Sequence, residues 1–251
     1  MNVGLFGFGR AGRSVASVLL ESKKTNLRWV IRQTNRLNHR SVPEFLGIES
    51  DEPGLIFSKH EFANASALFD QHPIEAIVDF ASESGIDFYG EEAAKRGITI
   101  VSAVSHYEPE KITLLKKLSQ TTRVLWSPNI TVGINFLLLA SKTLKQIAPY
   151  ADIEIIEEHF SAKPEVSGTA KFIAKELDKN PSDIKVIRAG GIVGHHQVLF
   201  GFPYQTVRLC HDSISREAFG NGALFALEQL KEKPIGFYNM QELMMPFFNH
   251  Q

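Results

Sequence analysis

Residues 157–170 read EEHFSAKPEVSGTA and gather the groups best suited to chemistry. His159 titrates near neutral pH and could move a proton, while Lys163, four residues on, could donate one or hold an anion. Ser167, Gly168 and Thr169 open the helical pattern GTAKFIAKELDK. The free N–H groups of Gly168 and Thr169 would then form a cradle for a carboxylate. Proton donor, cation and anion cradle would meet at one place. A strand-end histidine, a solvated lysine and a serine N-cap account for the same residues without chemistry, and the stretch alone leaves both readings open.

A second constellation lies near the start of the chain. Gly7, Gly9 and Gly12 in LFGFGRAGRSV form G-x-G-x-x-G between an apolar strand and a helix. Such glycines allow a tight turn and close approach of backbone to a pyrophosphate at the helix N-terminus. The turn, Gly7, Gly9, Arg10, Ala11 and Gly12, points to a dinucleotide. About 20 residues further on, NAD sites carry an acidic residue. Here VIRQTNRLNHR offers Arg32 and Arg36 and no Asp or Glu. A guanidinium meets a ribose phosphate with a planar fork of donors, so NADPH is expected, with NADH as the alternative. Two solvated loop arginines are the non-functional reading of the same pair.

These groups need a scaffold. The first half alternates short apolar runs (NVGLFGF, LRWVIR, EAIVDFA, ITIVSAV, RVLWS) with helical patterns (GRSVASVLLES, DFYGEEAAKRG, PEKITLLKKLSQ). That rhythm predicts an α/β fold with a doubly wound parallel sheet of Rossmann type. Residues 35–52 read as a surface connection with one helical turn. Beyond Trp126 come a long helical stripe, TVGINFLLLASKTLKQIA, and a strand, ADIEIIEEHF. IKVIRAG, HHQVLFGF and QTVRLCHD then read as an antiparallel meander, and REAFGNGALFALEQL returns to helix. The expected division is a dinucleotide-binding domain at 1–126, with 216–251 packing back on it, and a second α+β domain at 127–215 for substrate and assembly.

Composition narrows the partners. Of 251 residues, 43% are hydrophobic and 22% charged, enough for a substantial core. A net charge of -1 gives no electrostatic reason to expect nucleic acid or a membrane surface. The first residues lack a basic leader, and no apolar run is long enough to span a bilayer, so a cytoplasmic protein is expected. Cys210, the single cysteine, cannot form an internal disulfide and reads as an apolar strand residue. His195 and His196 are adjacent in a strand and point to opposite faces, so they cannot share an ion. No metal is expected.

The order of motifs resembles the dihydrodipicolinate reductase family over nearly the whole chain. The likeness is carried by GFGRAGR, VDFAS, SPNITVGINFLLL, IEIIEEHFSAKPEVSGTAKFIAKEL, VIRAGGIVGHHQVLF and ISREAFGNGAL. The resemblance implies a reduced nicotinamide cofactor, lysine biosynthesis through diaminopimelate, and a homotetramer assembled through a mixed sheet in the second domain. It assigns acid/base work to His159, proton donation to Lys163, and a substrate carboxylate to Ser167, Gly168 and Thr169. Phe80, Ser102, Ala103, Val104, Ser127, Asn129 and Ile130 would lie against the cofactor. In the family substrate, a small cyclic acid, loss of a hydroxyl as water precedes reduction.

The departures fall in the substrate pocket. Phe160 stands where the family has a second histidine for a carboxylate, and a phenyl ring has no donor. SAVS at 102–105 replaces G-T-T-G, and the loop after Lys163 is one residue shorter. A diverged imine or enoate reductase, and a silent NADPH-binding relative, are the alternatives to the family's own reaction. Retained His159 and Lys163 speak against the silent relative.

Overall fold

Strand and helix alternate through the first half of the protein as its apolar pattern requires. The structure is a computed structural model and describes residues 1–248. In chain order come β1 (Asn2–Phe6), α1 (Arg10–Glu21), β2 (Asn26–Arg32), α2 (Val42–Leu46), β3 (Leu55–Ser58), α3 (Ala65–Gln71) and β4 (Ala76–Asp79). Next are α4 (Gly85–Lys95), β5 (Thr99–Ser102), α5 (Pro109–Leu118), β6 (Arg123–Trp126), α6 (Val132–Ile147), β7 (Asp152–His159) and α7 (Gly168–Glu176). Then follow β8 (Lys185–Arg188), β9 (His195–Phe202), β10 (Gln205–Asp212), α8 (Glu217–Lys231), β11 (Gly236–Tyr238) and α9 (Met240–Met244).

Seven strands in the order β11-β6-β5-β4-β1-β2-β3 form a sheet in which every neighbouring pair is parallel. Both faces are covered, so the strands are apolar on both sides. On one face Val3, Leu5, Val78 and Val101 pack with Val15 and Leu19 of α1 and Leu227 of α8. On the other, Phe6, Trp29, Ile77 and Ile100 meet Leu68 of α3, Tyr89 of α4 and Leu115 of α5. This is the expected doubly wound architecture.

The chain end returns to this sheet. Helix α8 buries Ala223, Ala226 and Leu230 in the cluster containing α1, and β11 pairs in parallel with β6. The segment expected to return runs to residue 251, of which 249–251 lie outside the described residues. One short helix, α2, falls in the 35–52 connection as expected. The sequence reading did not foresee β3, α3, β11 and α9.

The second sheet, in the order β10-β9-β7-β8, is mixed, and α6 and α7 cover one face through Leu137, Ile173 and Ala174. The expected meander of β8, β9 and β10 is not what forms. β9 and β10 make an antiparallel hairpin, but β9 also pairs with β7, and β8 lies on the far side of β7, parallel to it. Between β7 and β8 runs α7, and a helix-length crossover permits a parallel return. Cys210 is on a strand as read, but its side chain is exposed. No helix among the described residues is long and apolar enough to cross a membrane.

Candidate active site

The glycine turn joins β1 to α1. Gly7 adopts φ +96°, and its N–H donates to the Ile31 carbonyl at 2.8 Å. A Cβ there would lie 2.7 Å from the Phe80 carbonyl oxygen, and one on Gly12 would collide with the carbonyl of Gly7. Only glycine lets these segments close. Gly9 is the N-cap of α1, no side chain caps the helix, and the space around its Cα is open. The first-turn N–H groups of Arg10, Ala11 and Gly12 are therefore placed to bind an anion.

A cleft of about 460 Å³ opens beside the turn, lined among others by Gly7, Gly9, Arg32, Lys59 and Phe80. Arg32 ends β2, and its Nη1 donates to the Arg36 carbonyl at 2.8 Å. Burial lowers the Arg32 pKa, and the charges of Arg13 and Arg36 lower it further. Three guanidinium groups thus crowd one corner, where a bound phosphate would relieve their repulsion. Arg13 also packs over the rings of Phe8 and Phe45. The turn, the uncapped helix and this cationic corner fit a phosphorylated dinucleotide. Arg13 and Lys59 were not singled out in the sequence: Arg13 ends GFGRAGR without being one of its glycines, and Lys59 stands in no motif.

Ser102, at the end of β5, Ala103 and Val104 just after it, and Ser127, Asn129 and Ile130 after β6 do not line that cleft. The two segments are joined where the Ser127 N–H donates to the Ser102 carbonyl at 3.0 Å. The Ser102 hydroxyl is fully buried against the Tyr107 hydroxyl at 2.9 Å, and Val104 is buried too, so of residues 102–104 Ala103 is the more accessible. Behind it, buried Asp79 accepts from the Ala81 N–H at 2.8 Å and the Tyr89 hydroxyl at 2.7 Å. Burial pushes the Asp79 carboxyl up to about 6.

The constellation of residues 157–170 forms where β7 ends. His159 is 7% exposed and Glu157 is fully buried, two residues apart on one face of the strand. Glu157 Oε1 accepts from Arg188 Nη2 at 2.6 Å, and both carboxylate oxygens face the Ser167 N–H at 3.3 and 3.2 Å. Glu157 Oε2 lies 2.9 Å from His159 Nδ1, with the ring turned so that no hydrogen bond forms. Across the sheet His196, paired in register with Glu157, approaches His159 ring to ring at 5.4 Å, and its Nε2 meets the Ser167 hydroxyl at 2.9 Å. His195 points the other way, to Asp212.

Charges around this cluster are balanced unevenly. Burial would raise the Glu157 pKa, but the hydrogen bonds from Arg188 and Ser167 outweigh it and hold the carboxyl below its ordinary range. Burial lowers the His159 pKa; Glu157 opposes that, and the positive charges of Lys163 and Arg188 add to it. His196 is pushed down to about 4, chiefly by burial. Both histidines are thus favoured neutral at physiological pH.

Ligating atoms of Glu157, His159 and His196 lie within 4.8 Å of one another, a carboxylate and two imidazoles that could in principle coordinate an ion. The same cluster already faces Arg188 and Lys163, whose charges would oppose a divalent cation. The arrangement suits a proton better than a metal.

Ser167 caps α7, its hydroxyl accepting from the Ala170 N–H at 3.0 Å, so the N–H groups of Gly168 and Thr169 remain uncapped by side chains. Asn129 Nδ2 reaches Thr169 Oγ1 at 3.4 Å. That contact brings the 127–130 segment against the N-terminus of α7. Lys163 is half-buried on the intervening loop, and Phe160, 43% exposed, presents its ring toward solvent.

Family models described as "Dihydrodipicolinate reductase, N-terminus" and "Dihydrodipicolinate reductase, C-terminus" match residues 1–130 and 130–244. The chain belongs to the dihydrodipicolinate reductase family. Its members are NAD(P)H-dependent oxidoreductases. The 4-hydroxy-tetrahydrodipicolinate reductase of Pseudoalteromonas atlantica is 30% identical over 269 residues, covering 96% of this chain and 98% of the relative. That of Caldanaerobacter subterraneus is 31% identical over 192 residues, 68% of this chain and 76% of the relative. Among solved structures, a dipicolinate-bound dihydrodipicolinate reductase from Paenisporosarcina sp. superposes with a TM-score of 0.77 at 20% identity, covering 95% of this chain and 97% of the other. An amine dehydrogenase from Mycobacterium smegmatis gives 0.63 at 10% identity, covering 96% and 95%. At such identities these likenesses concern the fold. Of the positions where the sequence reading expected departures, Phe160 is exposed and the 102–105 turn begins at buried Ser102.

Proposed function

We propose that the protein reduces 4-hydroxy-tetrahydrodipicolinate, the compound in its relatives' names, with NADPH, in the cytoplasm, as a homotetramer serving lysine biosynthesis. Residues 1–126, with 216–251 returning to them, form the cofactor half, and 127–215 the substrate and assembly half. The N–H groups of Arg10, Ala11 and Gly12 hold the pyrophosphate. Arg32, supported by Arg36 and Arg13, holds the ribose phosphate. Phe80, Ala103 and Asn129 border the nicotinamide, which when bound supplies hydride.

The remaining work belongs to the chain's own groups. The N–H groups of Gly168 and Thr169 hold a substrate carboxylate, and the charge of Lys163 steadies the anion and gives a proton. His159 Nε2 exchanges a proton with the reacting ring, and Ser167 fixes the cradle by capping its helix. The observation that carries this reading is the Asn129–Thr169 hydrogen bond, because it sets the cofactor-side segment against the substrate cradle. Orientation of this kind is a large share of what such an enzyme contributes.

Phe160 favours a second reading, in which the pocket takes a related cyclic imine acid with fewer carboxylates. One assay separates them: NADPH oxidation with enzymatically generated 4-hydroxy-tetrahydrodipicolinate and with a panel of cyclic imine acids. The first reading predicts turnover of the former. No oxidation with it, alongside rapid turnover of a monocarboxylate imine, would replace the first reading by the second.

A further inference from the structure

We propose that Glu157 is the positioning residue for His159, and that Arg188 fixes Glu157 and the loop carrying Lys163 together, so that one part-buried ion pair sets both proton-handling groups. The inference rests on the functional reading above, in which His159 and Lys163 move protons.

A fully buried carboxylate survives only if its charge is met. Glu157 receives Arg188 on Oε1 and the Ser167 N–H across both oxygens, which leaves Oε2 facing His159 Nδ1 at 2.9 Å. Since Nδ1 has no other partner, a small turn of the ring lets Nδ1–H donate to Oε2. That bond selects the tautomer that leaves Nε2 unprotonated. Nε2 faces Gly194, where a Cβ would lie only 3.0 Å from it, so the lack of a side chain at 194 leaves room beside that nitrogen of the buried ring.

Arg188 spans more than this pair. Its Nε donates to the Lys163 carbonyl at 3.1 Å and its Nη2 to the Glu165 carbonyl at 3.0 Å. A single guanidinium thus ties β7, β8 and the 160–167 loop together, using donors in several directions as only arginine can. The groups facing His159 are Glu157 from β7, Lys163 from the loop, Arg188 from β8 and His196 from β9. Glu157 is the one anion among them.

The test uses the full-length protein with NADPH and 4-hydroxy-tetrahydrodipicolinate. Glu157→Gln keeps shape and removes charge. It should lower kcat about 10-fold or more with NADPH affinity unchanged, and move the limb of the pH profile that reports His159 toward lower pH, since the anion that favours imidazolium is gone. Arg188→Lys keeps the charge and loses the fork, and it should lower kcat with a smaller shift of that limb. Nitrogen NMR of the wild type should show neutral His159 protonated at Nδ1, a measurement that needs no variant to fold. A folded Glu157→Gln protein with wild-type kcat and an unmoved profile overturns the role of Glu157, as does an Nε2–H tautomer in the wild type. Wild-type kcat in Arg188→Lys overturns that of Arg188. If instead His159→Ala keeps full activity, the functional reading falls and this proposal with it.

Discussion

At the scale of single residues, the two constellations could be found because their chemistry is compact in sequence: three glycines within six positions, and a histidine, lysine and serine turn within eleven. Arg32 follows from the same logic and yields a direct prediction. Arg32→Ala should weaken NADPH by about 10-fold or more, the loss of a charged hydrogen bond, and leave NADH nearly unchanged. Calorimetric titration of both cofactors checks it, and equal affinity of the wild type for the two would remove the phosphate assignment. What escaped the sequence were the groups that surround His159. Arg188 and His196 lie 29 and 37 residues beyond it in the chain (188 − 159 and 196 − 159), and only the pairing of β8 and β9 with β7 brings them near. Glu157 stands in plain view two positions before His159, but its role depends on which way the strand faces and on the arginine that neutralises it.

At the scale of elements, helices and strands with strong periodicity were legible, whereas pairing was not. The four-residue strand β8 looks the same in sequence whether it continues a meander or returns in parallel, because alternation specifies a face and not a neighbour. Strands β3 and β11, of four and three residues, are too short to show a period at all. The strand end at Asp79 makes an element-scale prediction about pH. Burial raises this carboxyl from its ordinary 3.8 to about 6, so the folded state prefers it protonated. Its penalty is absent below about pH 4 and fully present above about pH 6, and two pKa units amount to about 3 kcal/mol. Relative to Asp79→Asn, the wild type should therefore lose stability as pH rises from about 4 to about 6. Urea unfolding of both proteins across that interval measures the difference, and parallel curves would contradict it.

At the scale of the whole molecule, the first sheet is wrapped on both faces, while the second, among the described residues, presents one face without helices, carrying Cys210 and the exposed Ile187. The proposed tetramer would cover that face, and sedimentation equilibrium should give the mass of four 28.0 kDa chains; a monomer at working concentrations would refute the assembly. Placing the glycine turn on one sheet and the proton-handling groups on the other also separates two properties that a single domain would mix. Changes at the second sheet should leave cofactor binding intact. The most direct measurement is the single-turnover rate of NADPH oxidation by wild type, His159→Ala and Lys163→Ala, each saturated with NADPH and 4-hydroxy-tetrahydrodipicolinate, with NADPH affinity determined on the same samples. The account predicts unchanged affinity in all three and a rate lowered about 100- to 10,000-fold in each variant. Wild-type rates in both variants would contradict it.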